Sequence, residues 1–167
     1  MSRYVLSVPP ELYQRDLYCW AAGSASWLRA MKLGVATPDQ LIIRFGAYLN
    51  SDGTLPEGAR SSEAGVRPGG MQEVFRQLRI SIENIAGSRF TYSYVSDKLR
   101  KKGHLLLLEG AGGDMGHTYV VYGVGVPSDG YFSVFDSLRG SGGYRNRTLS
   151  EVHRQARIYV GWSAAAA

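Results

Sequence analysis

From residue 104 onward the chain reads as strands, and this change of character limits its fold more than any other feature. Residues 104–109, 118–126, 131–135 and 157–162 are β-branched, leucine-rich or aromatic runs separated by glycine turns. The first half has a different period. A helix is expected over 17–32, with Asp16 as its cap, an apolar stripe through Ala21, Ala22, Ala25, Leu28 and Met31, and Gly34 as its stop. Thr37, Pro38 and Gln40 supply a cap, a proline at the first helical position and a box-closing side chain for a second helix. Met71, Val74, Phe75 and Leu78 mark a third. A short strand over 80–85 and a helix over 94–102, stopped by Gly103, complete this half. One more short helix, over 150–156, interrupts the strands. The expected fold class is α+β: an N-terminal helical half packed on a C-terminal antiparallel β-sheet.

A chain of 167 residues suits one domain, taken as 1–163, with the alanine run 164–167 set aside as a tail. Its 21 glycines agree with short strands and many turns. Residues 50–70 read as a long loop rich in Gly, Ser and Pro, and 110–116 as a glycine-rich loop; both are expected to roof a cleft. The net charge of +5 is dispersed. Its single run, Arg100, Lys101 and Lys102, suits a helix C-terminus and has no stacking aromatics beside it, so no nucleic-acid partner is expected. No stretch is apolar and long enough to span a membrane, and the first residues lack the apolar run of a cleaved signal peptide.

Cys19 is the only cysteine, which excludes an intramolecular disulfide. It falls in the first turn of the first expected helix, where unpaired amides and the positive dipole end favour a thiolate, the reactive form of cysteine. A thiolate that attacks a carbonyl needs a partner to move protons, ordinarily histidine. Of three histidines, His153 reads as a surface residue and His104 as a strand-edge residue. His117 lies where the 110–116 loop meets the strongest strand of the chain, rigid behind and open in front. Asp136 ends the next strand, where a carboxylate can orient an imidazole.

Gln14, then Cys19-Trp20-Ala21-Ala22, then Gly116-His117 with its following strand, then Asp136 together resemble the active-site motifs of papain-like cysteine peptidases. The resemblance spans roughly 10–137. Within that superfamily it is similar to effector proteases of plant-pathogenic bacteria and to peptidase domains that trim bacteriocin leaders. It implies a Cys19–His117–Asp136 triad working through a thioester, with the Gln14 amide in the oxyanion hole. Gln14 stands one residue closer to the cysteine than the family pattern has it. The 98 residues between Cys19 and His117 are fewer than the roughly 130 to 150 of papain itself. By this resemblance the protein needs no cofactor or metal, and its partner is a protein or peptide substrate, with a host target, chaperone or inhibitor as further partners. The place of action it implies is the bacterial cytoplasm before export, then a host or target cell reached by a specialised system.

Two other classes stay open at this point. A transglutaminase or deamidase uses the same order of residues and the same thioester, and a catalytically silent binding module would keep the fold alone. A metal site from Cys19, His117 and Asp136 is disfavoured, because none of these lie at a spacing usual for zinc.

Overall fold

Leu105, Leu106, Leu107 and Leu108 are all fully buried, which requires their strand to be covered on both faces. The computed structural model describes residues 3–57, 60–62, 65–67, 69–111 and 114–164. Its strands are β1 (Tyr4–Val5), β2 (Arg60–Ser62), β3 (Gly65–Arg67), β4 (Ile80–Ile85), β5 (Leu105–Ala111), β6 (Asp114–Val124), β7 (Tyr131–Asp136), β8 (Gly143–Thr148) and β9 (Ile158–Ser163). Its helices are α1 (Cys19–Ala30), α2 (Pro38–Phe45), α3 (Gly70–Gln77), α4 (Tyr92–Lys102) and α5 (Leu149–His153).

Among the described residues the main sheet is antiparallel and runs β4-β9-β5-β6-β7-β8. β1 adds to β6 through Tyr4 opposite Val124, on the side where β5 has already ended at Leu105 opposite Val121. β2 and β3 form a separate hairpin.

Strand alternation sends neighbouring residues to opposite faces, and each face has its own core. Leu106, Leu108, Val120 and Phe135 pack with α1, α2 and α3. Leu105, Leu107, Tyr119, Val121, Val134 and Val160 pack instead with Val95 and Leu99 of α4 and Val152 of α5. The helices of the first half are therefore divided between the faces, and the sheet lies between two helical layers.

Several local expectations change in detail. Asp16 does not cap α1: its backbone is left-handed, with φ of 47°, so the chain turns before the helix starts. The N-cap is Tyr18, whose carbonyl accepts from the Ala21 and Ala22 amides, and Cys19 becomes the first helical residue. At the other end Lys32, with φ of 57°, takes the left-handed position expected of Gly34. Its amide donates to Arg29 and that of Leu33 to Leu28, closing the helix earlier. The Thr37–Gln40 capping box forms as expected.

The 50–70 stretch contains β2 and β3, with 58, 59, 63, 64 and 68 outside the described residues. The 110–116 loop is largely strand, since Gly110 pairs with Met115 and Ala111 with Asp114, while 112 and 113 lie outside the described residues. β8 has no counterpart in the sequence reading. His104 is buried, not at an edge, because the strand it precedes is central. Ala164 donates to the Arg79 carbonyl, and 165–167 lie outside the described residues.

Every residue of α1 from Cys19 to Leu28 is buried. The helix crosses β6 where Gly23 meets Thr118; a Cβ at Gly23 would stand 2.7 Å from the Thr118 methyl carbon. Both residues are inside packed elements, so neither moves cheaply. Gly23→Ala is expected to destabilise the fold by about 1–3 kcal/mol, read as a lower midpoint in urea unfolding. An unchanged midpoint would mean that this contact does not set the helix-to-sheet distance.

Candidate active site

β7 pairs with β6 only from Asp136 opposite Tyr119 onward. His117, two residues before Tyr119, therefore projects past the end of β7 and keeps a strand neighbour on the β5 side alone, Glu109. Between Glu109 and Gly110 the register slips, leaving Gly116 as the extra residue of a β-bulge. Such a bulge re-aims the side chain that follows it.

His117 and Asp136 are diagonal neighbours on one face, and their side chains meet: His117 Nε2 lies 2.7 Å from Asp136 Oδ1. With Nε2 so occupied, the imidazole presents Nδ1 to its second side-chain partner, Cys19. The cysteine comes from the first turn of α1, a helix end with no side-chain cap, so no capping side chain occupies the helix start. Cys19, His117 and Asp136 thus form one continuous row, drawn from a helix start and two strands.

Asp136 has no solvent exposure, and a buried carboxylate needs partners for both oxygens. Oδ1 also accepts from the Leu138 amide at 3.0 Å. Oδ2 accepts from the guanidinium of Arg145. Arg145 stands opposite Val134, whereas the residue opposite Asp136 is Gly143. Gly143 has φ of 90° and no side chain; a Cβ there would meet the Tyr13 hydroxyl at 3.7 Å, and Arg145, the next residue on the same face, reaches the carboxylate diagonally. Two diagonal neighbours, one from each flanking strand, hold the same acid.

A second polar layer lies behind the row. The Tyr119 ring meets the His117 ring edge-on at a centroid distance of 4.6 Å. The Arg147 guanidinium lies 4.4 Å from the Tyr119 ring centre and donates to Glu109, 2.8 Å away. Burial pushes the Tyr119 hydroxyl up to about 12.

Gln14 is tied to the same strand through Ser137, the residue after Asp136. Its amide N–H donates to the Ser137 carbonyl at 2.9 Å, and its Oε1 accepts from the Ser137 hydroxyl at 2.9 Å. Nε2 donates to the Asp16 carbonyl at 2.7 Å, which fixes the amide orientation, because a carbonyl only accepts. One Nε2 hydrogen remains. A cavity of about 600 Å³ opens beside Gln14, Arg15, Asp16, Leu138 and Arg139.

The other histidines take no part: His104 Nε2 meets the Ser7 carbonyl and His153 Nε2 the Phe90 carbonyl. Among the described residues, no group of three or more His, Cys, Asp or Glu is placed to hold a metal ion, and no helix is long and apolar enough to cross a membrane. Arg145, Arg147, Glu109, Tyr119 and Ser137 were absent from the sequence reading. The one signal for them is the alternation of Arg145 and Arg147 in β8, two residues apart and so on one face.

No family model matches the chain, and no curated protein matches it. Its fold is similar to two solved structures. One is the peptidase domain of Streptococcus ComA, a bifunctional ABC transporter involved in a quorum sensing pathway, at TM-score 0.56 and 14% identity over 91% of this chain and 96% of that one. The other is a double glycine motif protease from an AMS/PCAT transporter in complex with the leader peptide, at TM-score 0.52 and 15% identity over 98% and 99%. The chain has the papain-like α+β fold expected of it.

The row has a signature in pH. Burial alone would lower the His117 pKa, but the Asp136 hydrogen bond, the Cys19 hydrogen bond and the charges of both partners outweigh it and raise the imidazole from 6.5 to about 9. Burial would raise Asp136, yet the hydrogen bonds from His117 and Leu138, with the charges of His117 and Arg145, hold it below its ordinary 3.8. A raised histidine stabilises the fold fully below its unfolded pKa and loses that contribution as pH passes its folded value. A lowered aspartate contributes above its unfolded pKa and loses that as pH falls through its folded value. The contribution of this pair is therefore complete between pH 3.8 and 6.5 and declines from 6.5 toward about 9. Urea unfolding at pH 6 and pH 9 is expected to show that decline in the native protein and a smaller one in His117→Gln. Equal declines in both would contradict the assignment.

Proposed function

We propose that the protein is a cysteine peptidase in which Cys19 is the nucleophile, His117 the general base and acid, and Asp136 the residue that orients His117. The observation that carries this reading is the unbroken row from a first-turn cysteine through a buried histidine to a fully buried carboxylate. The thiolate is the attacking form of a cysteine, and the His117 imidazolium is the counter-charge placed beside it. The sulfur attacks the carbonyl carbon of a peptide bond, and the carbonyl oxygen takes the negative charge. The Cys19 amide and the remaining Nε2 hydrogen of Gln14 receive that oxyanion. His117 then gives its Nδ1 proton to the departing amine, the C–N bond breaks, and a thioester to Cys19 remains. Water, losing a proton to His117, attacks the thioester and releases the acid and the thiolate.

Gln14 stands one residue closer to Cys19 than the family spacing, and the left-handed turn at Asp16 supports its role by folding that connection tightly. For the substrate we infer a leader-type peptide cut behind a double glycine. That reading rests on the likeness to the peptidase domain of one transporter and to the leader-bound double glycine protease of another. The same likeness favours leader trimming over an effector or toxin acting on a host protein.

Incubation with a peptide carrying a double glycine, followed by mass spectrometry, tests the reading. The native protein is expected to yield two fragments, and Cys19→Ala none, with its unfolding midpoint nearly unchanged. Gln14→Ala is expected to lower kcat on the order of 100-fold. Iodoacetamide at pH 6 is expected to alkylate Cys19 rapidly. Cleavage by the Cys19→Ala protein, or an unreactive thiol, would overturn the assignment. Release of ammonia without cleavage would move it to a deamidase.

A further inference from the structure

Catalysis imposes on Asp136 a demand that the resting row does not. His117 is an imidazolium when the thiolate is ready and a neutral imidazole after it has protonated the leaving group. In the second state a carboxylate with no solvent exposure loses its histidine cation, and a buried charge without a counter-charge takes up a proton instead. A protonated Asp136 no longer orients the imidazole for the water step.

Arg145 meets this demand. Its guanidinium bonds Oδ2, the oxygen that His117 and the Leu138 amide do not use. The residue opposite Asp136 is Gly143, which offers no side chain to compete for that oxygen. We propose that Arg145 is a positioning residue that keeps Asp136 ionised, with Oδ1 turned to His117, during the half of the cycle in which His117 is neutral. The inference rests on the peptidase reading given above. An arginine suits the task because it stays charged at every working pH and bonds a carboxylate in a fixed plane. Its side chain is 41% exposed, so its cost of burial is modest while that of its partner is not. The other titratable and charged groups around Asp136 are His117 and Tyr119 from β6, Glu109 from β5, Arg147 from β8 and Cys19 from α1. Arg147 is bonded to Glu109, so among the described residues Arg145 is the arginine bonded to Asp136 and stays charged when His117 is neutral.

The rate of Cys19 alkylation by iodoacetamide, followed from pH 4 to pH 8, reads the row without a peptide substrate. Without Arg145 the carboxyl is easier to protonate and the thiolate feels less positive potential, and both effects act in one direction. In Arg145→Met the acid limb of the profile is expected to move up by about one pH unit, so alkylation on that limb is about tenfold slower than in the native protein. Arg145→Gln, which keeps hydrogen-bonding capacity without charge, is expected to do the same and serves if the methionine variant does not fold. Arg145→Lys is expected to restore most of the native limb. A purely structural role would lower the unfolding midpoint and leave the limb in place. An unmoved limb in the uncharged variants would overturn this inference alone, whereas a native thiol with no fast reaction would overturn the peptidase reading beneath it.

Discussion

The arrangement of the C-terminal sheet follows from the burial of one negative charge. Asp136 has no solvent exposure, and moving an ion of this kind out of water costs several kcal/mol even after relaxation. Its partners come from three directions: His117 from β6, Arg145 from β8, and the Leu138 amide from the turn that follows its own strand. A β7 without both neighbours would hold an unpaired charge. The next residue, Ser137, extends the same network to Gln14, so the segment that leads into α1 is fastened to the strand that carries the acid.

The two faces of the sheet do different work, and the change of direction between residues 117 and 118 is where they meet. Thr118 faces α1 and accepts its close approach at Gly23. His117 faces the other side, against Tyr119 and Asp136. Because β7 ends before reaching His117, the imidazole stands at an open notch in the sheet, where a side chain from the opposite layer can reach it. The distance from α1 to β6 thus also sets the candidate site: a shift of the helix on its bed would alter the spacing of Cys19 from His117.

Much of this frame was legible in the sequence because it depends on local rules. The Thr37 capping box, the apolar stripe of α3, the alternation of β4 and the fully apolar run of β5 each announce themselves over a few residues. The order of Cys19, His117 and Asp136 was legible for another reason: Cys19 and Asp136 sit at the ends of recognisable elements, and His117 sits where a glycine-rich stretch gives way to the apolar part of β6. β8 was not. Tyr144 is its one aromatic, and Arg145 and Arg147 take the positions on the other face, so no apolar period marks it. Arg145 and Arg147 turn inward only because Asp136 and Glu109 wait there, a fact of tertiary pairing. The start of α1 was misplaced because Asp16 has the composition of a cap but a left-handed backbone. The division of the helices between two faces was hidden as well, since an amphipathic pattern says that a face is covered and not which layer covers it.

The fastening of residues 9–14 carries a consequence for the life history of the chain. Gln14 and its partner Ser137 are 123 residues apart, and the Tyr144 hydroxyl bonds the Pro9 carbonyl across 135. Contacts of such separation close late, after the loops between them have been ordered. Along the chain Cys19 is separated from β6, β7 and β8 by everything from α1 to β5. The Cys19 thiol therefore stays apart from His117 until β6, β7 and β8 have been laid side by side.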